Sequence, residues 1–158
     1  MGRRDPGTTH RIARLGPGTV YLMEDQSNRD LALIVSRAGR REALMLNRRD
    51  GLGGDLPLVS DLAMDAEVTV LRGAFLAPAG PLAATASGPR VRIPAALHFA
   101  ESSAFLCGRD QAGQLATFDV QSGAASAIDV AGLPQAARWR VMIPQAGGVV
   151  TVYAAEPG

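Results

Sequence analysis

His98, Glu101, Cys107 and Arg109 are the residues of this chain whose types and nearness in sequence can be assembled into a chemical site. His98 and Glu101 are three apart, so one helical turn over Ala95 to Ser102 would set both on one side, and with Cys107 they would offer imidazole, carboxylate and thiolate to a zinc ion. The same Cys107 and His98 can be written as a thiol nucleophile and its base. Neither arrangement has a supporting signature. No fourth ligand stands at a recognisable spacing, and no local motif marks the cysteine as catalytic. A histidine at a loop edge and a cysteine acting as a small core residue is the simpler reading. No metal and no cofactor is called for.

Five carboxylates, Asp50, Asp55, Asp61, Asp65 and Glu67, fall within eighteen residues that hold no base. Their spacing fits no calcium loop, so they read as solvated loop and helix positions or as a charged patch. Absent residues exclude more. The chain has no lysine, since all sixteen basic residues are arginine, and this removes a Walker lysine, a Schiff base and a kinase-type phosphate lysine. Gly51-Leu-Gly53-Gly54 lacks the third glycine of a dinucleotide fingerprint, and no Gly-x-Ser-x-Gly occurs.

The arginines carry a pattern of their own. Arg90 and Arg92 flank Val91, and Arg138 and Arg140 flank Trp139, so in each stretch two arginines share the outer face of a strand. If the two strands were neighbours they would form an arginine-lined sheet surface suited to carboxylate or phosphate. Arg3, Arg4, Arg11 and Arg14 lie in a front segment, residues 1–17, with little apolar periodicity. That segment reads as a flexible basic arm ahead of one β-rich domain over 18–158. Residues 1–49 carry a charge of +5, residues 50–67 carry −5 and the remainder +1. Such a distribution can neutralise itself within a fold or between copies.

The elements that must hold these residues are short strands. Eighteen glycines and ten prolines punctuate 158 residues, as the turns of an all-β fold require. Trp139, Val141 and Ile143 alternate with Arg140 and Met142, Gly147-Gly148 turns the chain, and Val149 to Tyr153 returns it as a closing hairpin. Leu31 to Ser36 and Glu42 to Leu46 predict a second hairpin across Ala38-Gly39-Arg40. Val20 to Met23, Glu67 to Arg72 and Ala74 to Ala77 read as further strands. Ala104 to Cys107, Gln114 to Val120 and Ala124 to Val130 predict a three-stranded meander. Its cadence resembles one blade of a β-propeller, but no second copy follows at a fixed period. Asp55 and Pro57 with Leu58 and Leu62 predict one short helix. Pro78 to Pro89 reads as a loop, and Arg90 to Ile93 as a strand.

The sequence therefore predicts an all-β protein, a β-sandwich or partly open β-barrel of eight to ten short antiparallel strands with at most one or two short helices. The lone Cys107 excludes an intrachain disulfide. No stretch has the length of a membrane span, and the chain is expected to be soluble and cytoplasmic. The leading functional reading is non-catalytic: a structural or interaction subunit that assembles with itself or docks on a larger complex, as a decoration or connector protein of a virion-like particle does. Its contact residues would be Arg3, Arg4, Arg11, Arg14, Arg90, Arg92, Arg138 and Arg140. One alternative is a nucleic-acid-binding module using the arm and the arginine faces, although a pI near 8.0 and few aromatics weigh against it. The other is a small β-barrel enzyme or ligand binder built on His98, Glu101, Cys107 and Arg109.

Overall fold

Leu31 to Val35 is apolar at every position, and both faces of the strand it forms are buried. Leu31, Leu33 and Val35 belong to one hydrophobic cluster, and Ala32 and Ile34 to another on the opposite side. A continuous apolar run is what a strand covered on both faces demands. A computed structural model of the chain describes residues 9–24, 28–49, 56–84 and 95–155. In chain order its strands are β1 (Thr9–Arg11), β2 (Val20–Glu24), β3 (Arg29–Arg37), β4 (Arg40–Arg49), β5 (Pro57–Asp61), β6 (Glu67–Val70), β7 (Phe75–Pro78) and β8 (Ala83–Ala84). They continue with β9 (Leu97–Ala100), β10 (Ser103–Asp110), β11 (Leu115–Asp119), β12 (Ala125–Ser126), β13 (Pro134–Ala136), β14 (Trp139–Gln145) and β15 (Gly148–Ala155).

Among the described residues, twelve strands form one large sheet in the order β1-β6-β2-β3-β4-β5-β10-β9-β13-β8, with β11 and β12 branching from β10. A small sheet runs β15-β14-β7. Trp139, Val141, Ile143 and Ala155 of the small sheet share a cluster with Leu33, Leu44, Leu106 and Phe118 of the large one, so the two sheets pack face to face. They are not closed into a barrel. The all-β expectation holds, with more strands than the sequence suggested. No described helix is long and apolar enough to cross a membrane.

Both sequence-predicted hairpins are present. β3 and β4 pair from Ala32↔Met45 to Arg37↔Arg40, and β14 and β15 pair from Trp139↔Ala155 to Gln145↔Gly148. The meander forms as β10, β11 and β12. Two expectations fail. The residues predicted as a helix form β5 instead, because both edges of that segment find partners: Val59 pairs with Leu44 of β4, and Leu58 with Arg109 of β10 in parallel. Ladder bonds on two sides outweigh a weak helical period.

The other failure is the arm. Residues 9–17 belong to the fold: β1 pairs with β6 through His10↔Val68, and a 3-10 turn at Ile12–Arg14 follows. That turn places Ile12 and Leu15, three apart, on one side. Both are buried with Tyr21, Ile34 and Val68 in the second cluster. They dock there because Ala32, Ile34, Ala43 and Val68 give the large sheet an apolar second face. The Arg41 guanidinium also donates to the carbonyls of Ala13 and Leu15. Residues 1–8 lie outside the described residues.

Two backbone crossings admit no side chain. A Cβ on Gly108 would lie 2.6 Å from Leu44 Cδ1 and 2.7 Å from Val59 Cγ2, where β10 passes beside β4 and β5. Gly123, at φ +74, sits with its hypothetical Cβ 2.4 Å from the Ile34 carbonyl, and Ser36 N–H donates to the Gly123 carbonyl at 2.8 Å. Only glycine allows β3 and the turn after β11 to come this close.

Candidate functional site

The small sheet presents an outward face and an outer edge, both fixed by alternation along β14. Trp139, Val141 and Ile143 point into the core, so Arg140, Met142 and Pro144 point out. Register carries the pattern to both neighbours. Arg140 stands between Ala77 of β7 and Ala154 of β15, Met142 between Phe75 and Thr151, and Pro144 beside Val149. Phe75 is 42% and Val149 52% exposed, values large enough to make this an apolar outer surface rather than the edge of a core.

β15 forms the margin of that sheet, and among the described residues no strand pairs with its outer edge. Its sequence, Gly-Val-Val-Thr-Val-Tyr-Ala-Ala, contains no charge and no proline. Edge strands that avoid partners usually carry lysine, proline or an inward charge. β15 has none of these three, and its one device of this kind is a bulge. A bulge lies where the register moves from Val141↔Tyr153 to Met142↔Thr151, leaving Val152 as the extra residue. The bulge turns Val152 to the same side as Tyr153, and both line a cavity of about 160 Å³ with Leu22, Leu31, Leu71, Arg29 and Asn47. Of the small sheet only β15 contributes to that lining, which places the cavity at the sheet's margin. Asn47 is held there by accepting from Leu31 N–H at 3.0 Å and donating to the Arg29 carbonyl at 2.7 Å.

Arg140 is exposed, and among the described residues no carboxylate pairs with it. Arg138 precedes β14, and its carbonyl accepts from Ala79 N–H at 2.9 Å. Arg11 and Arg14 are exposed on β1 and the following turn, at one end of the large sheet. Arg3, Arg4, Arg90 and Arg92 lie outside the described residues, as does the strand expected at Arg90 to Ile93. Among the described residues the neighbours of β14 are the uncharged strands β7 and β15, and Arg140 stands between Ala77 and Ala154. Sequence reading missed this because the outward residues of β7 and β15 gain meaning only through register.

The enzyme-like residues fall on β9, β10 and the turn between them. His98 is fully buried on β9, opposite Phe105 of β10 and Gln135 of β13. Glu101 is exposed in the turn after β9 at φ 55. Cys107 is buried beside Leu56 and Val130, with its sulfur 3.2 Å from Thr117 Oγ1. Burial pushes this thiol up, against a smaller opposing effect of the Thr117 contact, so the thiol and not the reactive thiolate is favoured. Arg109 donates to the Gly113 carbonyl at 3.2 Å. The helical turn over Ala95 to Ser102 that a zinc site would have required is absent: Leu97–Ala100 form strand β9. Among the described residues no three His, Cys, Asp or Glu side chains are placed to hold a metal.

A polar cluster that the sequence did not reveal joins β3, β4 and β10. Arg37 donates from Nε to Glu42 Oε1 at 2.9 Å, and from Nη2 to Glu42 Oε2 and Asp110 Oδ2 at 3.0 Å each. Asp110 Oδ1 accepts from the backbone N–H groups of Gln114 at 2.9 Å and Ala112 at 3.0 Å. The Gln114 bond, with Arg37 adding to it, holds the Asp110 carboxyl below its usual range. All four carboxylate oxygens are engaged by donors, so the cluster acts as a clasp between hairpin and sheet rather than as an acid and base pair. No family model, curated protein or solved structure matches the chain.

Proposed function

We propose that the protein is a non-catalytic interaction subunit that assembles with copies of itself or docks on a larger complex, as a connector or decoration protein of a particle does. The observation that carries this reading is the outer face of the small sheet, where Phe75, Met142, Pro144 and Val149 lie together beside the charge of Arg140. An exposed apolar face on a two-layer β framework loses water favourably when a matching surface covers it. A second copy supplies an identical face, and a two-fold contact brings such a patch against itself.

Light scattering over a concentration series tests the self-assembly form directly. The expected result is a mass above the 16.4 kDa of one chain that falls to the single-chain value in a Phe75→Ser, Val149→Ser variant. A wild-type protein that stays at single-chain mass throughout, or a variant that assembles equally well, contradicts it.

A further inference from the structure

The outer edge of β15 and the cavity beside it are a second feature of the small sheet, separate from the outer face on which the proposed assembly rests. We infer that β15 takes up an extended segment of a partner protein by strand addition, and that the segment carries a large apolar residue next to an acidic one.

Eight consecutive uncharged residues, mostly β-branched or small, offer a row of backbone donors and acceptors at the sheet margin. Strand addition draws affinity from such main-chain bonds and selectivity from the places that receive alternate side chains. Both kinds of place exist here, on opposite faces and at adjacent positions. On the inner face, Val152 and Tyr153 border the cavity of about 160 Å³, whose walls Leu22, Leu31 and Leu71 are apolar. An apolar cavity of about 150 Å³ accepts a benzene-sized group in other proteins, so a leucine or phenylalanine side chain is the right scale. On the outer face, one residue along, Arg140 stands across from Ala154. The alanine side chain is too short to screen it, and the two strand spacings from β14 to an added strand, about 9.6 Å, are spanned by an arginine and a carboxylate side chain reaching towards each other. A residue of the added strand opposite Ala154 would meet that guanidinium, and a carboxylate there would form the pair that Arg140 lacks among the described residues.

Because Tyr153 faces in and Ala154 faces out, the two recognised side chains must be consecutive in the added strand. The chain does not offer such a pair from its own described fold. Where it sets a large apolar residue beside a carboxylate, the apolar member is buried, as at Asp30-Leu31, Phe118-Asp119 and Asp129-Val130, or the segment is already bound in the fold, as at Met23-Glu24 of β2, Asp61-Leu62 at the end of β5, and Met64-Asp65, where the Met64 carbonyl accepts from Ala13 N–H. The segment therefore comes from a different protein.

The test uses the full chain and dye-labelled octapeptides Thr-Val-Thr-Leu-Glu-Val-Thr-Thr, read by fluorescence anisotropy, with the Leu-Lys and Ala-Glu versions alongside. The wild type is expected to bind the Leu-Glu peptide saturably and at least about tenfold more tightly than either other, about 1.4 kcal/mol. Arg140→Glu, an exposed change that leaves the core untouched, is expected to reverse the order of the Leu-Glu and Leu-Lys peptides. Absence of saturable binding at millimolar peptide, or equal affinity for the Glu and Lys peptides in both proteins, overturns the inference. Either result leaves the outer-face assembly standing or falling on its light-scattering mass alone.

Discussion

The ring of Tyr153 meets the ring of Trp139 edge-on, with centroids 6.0 Å apart and planes at 61°. One of these residues is fully buried and the other lines the marginal cavity, so this contact links the deepest part of the core to the edge of β15. Edge-to-face pairs are worth about 0.5 to 1.5 kcal/mol beyond the area they bury. The Trp139 indole N–H is also satisfied, donating to the Ala95 carbonyl at 3.3 Å.

Trp139→Ala is therefore expected to cost about 3 to 5 kcal/mol, the usual loss for a large aromatic in a core. Trp139→Phe should cost less while leaving the Ala95 carbonyl without its donor. Urea unfolding of the three proteins measures both losses. An alanine variant as stable as wild type would contradict the packing of the small sheet on the large one.

Gly108→Ala is expected to destabilise by about 1 to 3 kcal/mol, because the added methyl meets Leu44 and Val59. Gly80→Ala is the matched control, since nothing lies within 4 Å of its Cβ position. Equal melting temperatures for the two variants would mean that β10 does not cross β4 and β5 as closely as described.

At the N-terminus, Ile12→Ala is expected to cost about 2 to 5 kcal/mol. Deleting residues 1–16 should destabilise the fold as well, since it removes β1, Ile12 and Leu15. The flexible-arm reading expects the deletion to leave stability nearly unchanged, so a melting curve of the truncated protein separates the two accounts.

For the clasp, the sign follows from the direction of the Asp110 shift. A carboxyl held below its unfolded value of about 3.9 stabilises the fold above that pH, and the contribution disappears as pH falls through the lower folded value. Wild type should exceed Asp110→Asn in melting temperature at neutral pH, and the gap should close below about pH 4. A gap that stays constant down to pH 2 would show that the carboxylate charge is not what the clasp uses. At the alkaline end, burial and then Asp30 push the Tyr21 hydroxyl up to about 12. Its contribution is present below about pH 10 and is lost as pH rises towards 12.

The strands were legible in the sequence wherever an alternation or an apolar run was bounded by turn residues. β3, β4, β10, β14 and β15 all meet that condition. β1 and β5 do not, because each forms through distant partners, Val68 for one and Leu44 with Arg109 for the other. Ile12 and Leu15 gave too little apolar sequence to reveal a docked segment, since the face that covers them is assembled from β2, β3, β4 and β6. The candidate site was legible in part. Trp139, Val141 and Ile143 were recognised as inward, and Arg140 as outward, from period two alone. Phe75, Val149 and the cavity beside Tyr153 depend on β7 joining β14 across more than sixty residues of chain, and on the bulge at Val152.

Oxidative footprinting at low and high protein concentration tests the central claim most directly, with methionines on and off the outer face as internal probes. Met142 lies on that face between Phe75 and Thr151, while Met64, 40% exposed, lies in the turn after β5. The account predicts that Met142 and Phe75 become protected as the scattering mass rises above one chain, while Met64 stays reactive. Met142 and Phe75 labelled equally at both concentrations, with the mass already raised, would contradict the small sheet as the contact surface.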